Sequence, residues 1–332
     1  MYEATFELEA ITPLFMRGAD QNKAEFRSAS VKGVMRWWFR ALAGGYFGND
    51  IDALRKAEEL VFGSAGKGGA RRSSVDVIVD SEEFASQDYP LPMVWNKKLY
   101  TRIKASAIPP GTTFTVVLRS PNYQYLAIAS YSLIAMSYFG GLGFRSNRGA
   151  GSVRIIDGPD EIMKQLPRSY EQFKMFPNWL IEKFGEHLCS IKNDDVSLVK
   201  TNNCFSYSVL SQNCSSVWLW EPTESLEDIY YSADENNLLD KFENKFKGWG
   251  GCPFGYKNYV FGLPKSSKKS RRASPMKVGV VVLDGKYWVR ISVFKTSKFT
   301  QDSSVRVDWN CLYKFLRDIG ATRVWPRRDS DA

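Results

Sequence analysis

The N-terminal segment alternates without a break: Tyr2, Ala4, Phe6, Leu8 and Ala10 point one way, and Glu3, Thr5, Glu7 and Glu9 the other. A period of two marks a strand with one buried face, so the chain must build a sheet whose core lies on one side. After a polar loop over residues 16–29, Val31, Val34, Trp38 and Leu42 recur at helical spacing. Ser30 is the predicted N-cap of that helix, and Gly44-Gly45 its predicted end. Val75–Val79 and Thr113–Arg119 read as strands, Tyr123–Phe139 as a buried helix and Ser152–Ile156 as another strand. A helix near Leu54–Phe62 is inserted between them.

Apart from that insertion the order is β-α-β-β-α-β, the ferredoxin-like or RRM-like arrangement in which two helices cover one face of an antiparallel sheet. The second half repeats the plan after a helical connector around residues 160–190. Phe205–Leu210 is strand-like, with Val217–Trp220 competing for the same place, and Leu226–Phe246 reads as a long acidic helix. Lys277–Leu283 and Lys286–Phe294 flank Asp284-Gly285, a two-residue hairpin signal. Val305–Ile319 follows as a helix and Thr322–Trp325 as a short last strand. The 332 residues suit two domains of ~150 residues each. The expected class is therefore α+β: two tandem ferredoxin-like domains, residues 1–160 and 161–332, the connector belonging to the second.

Composition narrows the function. Lys and Arg outnumber Asp and Glu by 45 to 36, and aromatics make up 14% of the chain, which points to a polyanionic partner, most often nucleic acid. The segment 221–243 carries eight acids and one lysine, a −7 block that leaves +16 on the remainder. It reads as a solvated helix face, with a protein-docking surface as the alternative. The acidic, alternating N-terminus is unlike a secretory signal or a transit peptide. The uncharged stretch Ser120–Phe144 has an apolar part too short for the ~20 residues a bilayer needs. Five cysteines without paired spacing suggest a reducing compartment, so a cytoplasmic location is expected.

His187 is the only histidine, at the end of an amphipathic helix, and a structural role is expected for it. With Cys189, Cys204 and Cys214 it would make four zinc ligands on paper, but no Cys-x-x-Cys pair is present, so no metal and no cofactor are expected.

Positive charge gathers in three segments. Lys32, Arg36 and Arg40 lie four apart on one helical face beside Trp37. The loop over residues 140–153, GGLGFRSNRGAGSV, combines Gly140, Gly141, Gly143, Gly149 and Gly151 with Arg145 and Arg148, and its amides could cradle phosphates. It has neither the spacing of a dinucleotide-binding fingerprint nor that of a Walker A loop. Between Lys265 and Lys277 there are six basic residues and no acid, a phosphate clamp or a solvated loop.

These residues carry a family resemblance. Residues 11–42 (ITPLFMRGADQNKAEFRSASVKGVMRWWFRAL) resemble the N-terminal signature of the RAMP superfamily, specifically the family of first Cmr subunits of type III-B CRISPR effector complexes. GGLGFRSNRGAGSV is similar to the RAMP glycine-rich loop, and residues 271–282 (RRASPMKVGVVV) to a second-domain segment of the same family. The resemblance implies a pair of RRM-like folds without an assigned nuclease activity. It places such a subunit at the end of the complex distal to the 5′ tag of the guide, beside other Cmr subunits, holding guide RNA and capturing target RNA.

The expected function is thus a non-catalytic RNA-binding subunit with no membrane association. Arg36, Arg40, Arg145 and Arg148 are the first expected phosphate contacts and Arg17, Lys32, Arg271 and Arg272 the next, with Trp37 as the candidate for base stacking. Substitution of Arg36 and Arg40 is expected to spare the fold. Two rival functions remain: a metal-independent endoribonuclease of the RAMP type using Asp20 and His187, and a protein-only scaffold.

Overall fold

The structure, a computed structural model, describes residues 1–20, 22–66, 69–96, 101–192, 204–231, 236–249, 274–297 and 308–326. In chain order the first half contains β1 (Tyr2–Ala10), α1 (Ser28–Phe47), α2 (Ile51–Phe62), the small pair β2 (Ser64–Gly66) and β3 (Gly69–Arg71), and β4 (Asp76–Asp80). It continues with β5 (Gln87–Asn96), β6 (Thr101–Ala107), β7 (Thr113–Ser120), α3 (Tyr123–Phe139) and β8 (Val153–Asp157). The second half contains α4 (Asp160–Met163), α5 (Tyr170–Lys192), β9 (Ser215–Thr223), α6 (Leu238–Gly248), β10 (Met276–Leu283), β11 (Lys286–Phe294), α7 (Trp309–Asp318) and β12 (Thr322–Trp325). The chain is α+β, with antiparallel sheets packed on helices.

The two four-stranded sheets have matching orders, β4-β7-β1-β8 and β10-β11-β9-β12. β1 sits at the centre of the first, paired with β7 from Tyr2↔Ser120 to Glu9↔Thr113 and with β8 on its other side. Its apolar row, Ala4, Phe6, Leu8 and Ala10, is buried, as the alternation requires. α3 is capped by Asn122 Oδ1, which accepts from the amides of Gln124 and Tyr125 at 2.8 and 3.2 Å. Its serines fold back onto the helix, Ser130 Oγ donating to Leu126 O and Ser132 Oγ to Ile128 O. A helix that is apolar all round belongs inside a protein. α3 lies between the first sheet and α5, and touches β10 and β11 of the second.

The second sheet is buried on both faces. Val217, Leu219, Val281 and Leu283 join the core of the first half. Trp218, Trp220, Val289 and Ile291 pack on the other side with Phe242 of α6 and with Leu312 and Phe315 of α7. α5 contributes Phe173, Phe176, Leu180 and Phe184 to the first core, so this connector packs with the first half.

Several expected elements are corrected. The first strand of the second half is β9, not Phe205–Leu210. Between two cores a strand shows a continuous apolar run instead of alternation, which is why Val217–Trp220 takes the place. Phe205 and Val209 instead form a small cluster with Cys214, and Leu210 N bonds Ala41 O at 2.8 Å. The acidic helix begins at Leu238, and Leu226–Tyr231 is built of turns and bends. α1 starts after Arg27, not Ser30, and runs through Gly44-Gly45 to Phe47. At Gly44 a side chain would meet Tyr207 and Val209 at 2.7 Å, so the glycine serves close packing within the helix. The β5–β6 hairpin is an addition that the sequence did not announce.

Cys189, Cys204 and Cys214 are free thiols, whereas Cys311 is disulfide-bonded, so the cysteine count no longer argues by itself for a reducing compartment. Among the described residues no helix is long and apolar enough to cross a membrane, and no group of His, Cys, Asp and Glu could hold a metal ion.

Candidate functional site

RRM-type recognition stacks bases on an open sheet face bearing aromatics. Neither sheet offers one. The second is covered on both sides, and the exposed face of the first carries Glu3, Glu7, Glu9, Asp76 and Asp80 without an aromatic side chain. Its arginines are already engaged, Arg119 with Glu3 at 2.6 Å and Arg154 with Glu9 at 2.5 Å. A polyanion has to bind elsewhere.

The glycine-rich loop after α3 is the joint between the halves. Phe144 N bonds Phe15 O at 2.8 Å, and Gly151 N bonds Pro13 O at 3.0 Å. On the other side Gly149 N bonds Val278 O at 3.0 Å and Val278 N bonds Asn147 O at 3.2 Å, docking the loop on the edge of β10. Gly151 has φ +62°, and a Cβ there would lie 1.8 Å from Leu142 O, a place only glycine fills. The amides of Phe144, Gly149 and Gly151 are therefore bonded within the protein, and what the loop presents to a ligand is chiefly a side-chain surface.

That surface is a groove of about 620 Å³, lined by Phe144 and Gly143 of the loop, Arg17 of the β1–α1 segment, and Ile103 and Lys104 of β6. Phe144 is 58% exposed. Arg145 adopts φ 65°, a strained backbone for a residue with a side chain, and its guanidinium lies 5.1 Å above the Phe144 ring. Arg17 Nη2 donates to Ser106 O at 3.2 Å, which fixes it beside the hairpin. An exposed ring with cations on either flank is what single-stranded nucleic acid uses as a stacking platform.

Behind the groove lies a compact cationic cluster. Arg148 is partly buried, with Nη1 enclosed and lacking a hydrogen-bond partner, and desolvation pulls its guanidinium down. Lys277 donates to Asn147 Oδ1 at 2.8 Å and rests 4.0 Å from the centre of the Trp37 ring. Arg290, 1% exposed, donates to Gly140 O at 2.8 Å, the carbonyl at the end of α3 where the helix dipole favours a cation. Burial, reinforced by Arg290, brings Lys277 down to about 7. The unfolded chain thus binds more protons from pH 7 up to the ordinary lysine range, so stability should rise with pH across that window. Thermal melts between pH 7 and 9.5 should show the rise, and Lys277→Met should flatten it.

Of the expected contacts, Arg17, Arg145 and Arg148 come together at this loop, with Trp37 reached through Lys277. Trp37 is partly buried, with Trp38 and Phe294 edge-on to it at 4.8 and 5.5 Å. Lys32, Arg36 and Arg40 are turned to other work. Arg36 Nε bonds Glu58 Oε1 at 2.6 Å, Arg40 Nη1 bonds both Glu58 oxygens at 2.9 Å, and Glu58 is buried on α2. Lys32 Nζ donates to Val75 O at 3.4 Å. The expectation that substituting Arg36 and Arg40 spares the fold is corrected on this ground. Arg271 and Arg272 lie outside the described residues. Phe144 and Lys104 were not anticipated as site residues, whereas Lys277 closes the basic run over residues 265–277.

The rival pair is not assembled. Asp20 is exposed and accepts from Asn22 N at 2.9 Å, in a loop whose base, Arg17↔Ala24, lies next to the bridge between Phe15 and Phe144 beyond the end of α3. His187 instead packs by Tyr123 at the start of α3.

Comparison with known proteins agrees with this fold and joint. Residues 7–154 match the RAMP superfamily, and residues 212–326 match the Cmr1 C-terminal domain. The first half of the chain thus matches the RAMP superfamily. The chain is 32% identical to the CRISPR system Cmr subunit Cmr1-1 of Pyrococcus furiosus over 98% of both chains. It is 44% identical to Cmr1-2 of the same organism over 47% of this chain and 96% of that one. The crystal structure of apo Cmr1 from Pyrococcus furiosus superposes with a TM-score of 0.64 at 27% identity, covering 98% of this chain and 99% of that one. A type III-B Cmr-beta complex bound to cognate target RNA contains a chain of the same fold, with a TM-score of 0.55 at 13% identity and coverage of 96% and 98%. This chain belongs to the Cmr1 family of CRISPR Cmr subunits.

Proposed function

We propose that the chain is a non-catalytic RNA-binding subunit of a type III-B CRISPR effector complex in the cytoplasm, acting beside other Cmr subunits to hold guide RNA and capture target RNA. The observation that carries this is the groove at the glycine-rich loop, lined by exposed Phe144, Arg17 and Lys104, with the Arg145 guanidinium over the Phe144 ring. Membership in the Cmr1 family and the fold shared with a chain of a target-RNA-bound Cmr complex support the setting. Two sheets with matching strand order support tandem ferredoxin-like domains: in each β-α-β-β-α-β unit the strands lie second, third, first, fourth. Units of residues 1–160 and 161–332 follow that division, although α5 packs on the first. The separation of Asp20 from His187 supports a non-catalytic role, because acid–base cleavage needs two groups around one phosphate.

Phe144→Ala tests the platform. Removing one stacked base typically loses about 1–3 kcal/mol, so affinity for a labelled single-stranded RNA should fall roughly 5- to 150-fold while the melting temperature stays put. The same incubations should yield no RNA products, with or without divalent metal. Unchanged affinity rejects the platform, and products that vanish in both Asp20→Asn and His187→Ala proteins reject the non-catalytic role.

A further inference from the structure

At the other end of α3 from the groove, α3, α5 and the start of α4 enclose a pocket of about 530 Å³. Its walls are aromatic. The Tyr131 ring lies 5.9 Å from Trp179 and 5.6 Å from His187, and Tyr123 stands 5.9 Å beyond the imidazole. His187 Nδ1–H donates to Gln124 Oε1 at 2.5 Å, and burial keeps the ring below its usual range, hence uncharged near neutrality.

The rim is acidic, formed by Glu3, Asp160, Glu161 and Glu186 with Lys183 as the one opposing charge. Glu3 is paired with Arg119 and Glu186 with Lys183, whereas Asp160 and Glu161 are exposed and free of ion pairs. The field of these acids reaches inside: burial first, then Tyr123, Glu186 and Glu161 raise the Tyr131 hydroxyl to about 12.

Aromatic faces attract cations, most strongly where carboxylates add their charge and water is partly excluded. The same charge repels nucleic acid. We propose that this pocket receives an arginine or lysine side chain from a protein neighbour. Its surroundings fit a protein surface rather than a small polyamine. Tyr2 and Tyr123 are half-exposed beside it, 5.6 Å apart, and Glu3 continues into the acidic face of the first sheet through the row Glu3, Arg119, Asp76. The pocket opens into a mixed apolar and acidic area that complements a basic protein surface. The pocket lies along the first half of the 17-residue helix, from Tyr123 to Tyr131, and the groove lies beyond its far end, so RNA and the neighbour can be held together.

His187 is the chain's one histidine, so selective ¹³C-histidine labelling of the full chain gives a single imidazole signal at the pocket wall. Titration with acetyl-Gly-Arg-Gly-Arg-Gly-amide should move that signal saturably, and the same peptide with Glu for Arg should not. The Asp160→Asn, Glu161→Gln protein should melt like the parent yet need about fivefold more peptide, and Trp179→Leu should weaken the response further. A non-saturating shift, an equal response to the acidic peptide, or an unaltered titration of the neutral variant overturns the proposal. So does a single-stranded RNA that moves the signal as the arginine peptide does. Spermidine displacing the peptide at far lower concentration than the peptide needs to bind rejects a protein neighbour as the occupant.

Discussion

The Arg36→Glu, Arg40→Glu protein should lose a large part of its stability. Glu58 is 5% exposed and takes its compensation from these two guanidiniums, Arg36 Nε at 2.6 Å and Arg40 Nη1 at 2.9 Å. Removing the partners of a buried charge costs about 3–5 kcal/mol, a large fraction of the 5–15 kcal/mol that holds a typical domain. Two new carboxylates beside the old one add repulsion. Urea unfolding followed by dichroism measures the loss, and adding Glu58→Arg to the double variant should recover a good part of it by reversing the charges. If the double variant unfolds at the parent's urea midpoint, Glu58 is not held as described.

A second large effect is expected where the β5–β6 hairpin meets α6. Arg102 donates to Asp240 and to Glu243 at 2.7 Å each, with both carboxylates wholly buried, and its guanidinium lies 4.5 Å from the centre of the Tyr231 ring. Arg102→Ala takes the shared partner from two enclosed carboxylates, of which Glu243 keeps Lys247, so a loss of about 3 kcal/mol, the lower end for a broken buried pair, is expected. Replacing Asp240 and Glu243 as well, with Asn and Gln, should return much of it. The comparison uses the urea midpoints of the parent, these two variants and the Asp240→Asn, Glu243→Gln protein, and additive losses would refute the coupling. The acidic segment is therefore not simply a solvated face, because two of its charges hold a hairpin from the other half of the chain.

These ties show where sequence patterns stop being informative. β1, β7, β8, α3 and the β10–β11 hairpin were legible to within a residue or two, since each has a half-buried alternating face, a long uncharged apolar run or clear turn chemistry. β9 was not, because a strand enclosed on both sides shows no alternation. β5 carries Pro90 and Pro92, which mask its strand character. At the site, Arg17, Arg145 and Arg148 could be found as cations near glycine. Phe144 carried a signal that went unused: an aromatic between Gly143 and Arg145 in a tight loop is exposed by its neighbours. Lys104 had none, because the hairpin presenting it was not foreseen. The four-residue spacing of Lys32, Arg36 and Arg40 identified a shared face correctly, but no helical periodicity in α1 reveals that a carboxylate of α2 faces it.

The most direct test of the RNA groove is a salt titration of single-stranded RNA binding by the parent and by the Arg17→Gln, Lys104→Gln protein. Each phosphate neutralised on a single strand contributes roughly −0.7 to the slope of log K against log salt. The double variant should bind more weakly at low salt, with a slope shallower by about 1.4 and an unchanged melt. Equal slopes and equal affinities for the two proteins would contradict the account, because the phosphates would then lie somewhere other than the groove between the glycine-rich loop and the hairpin.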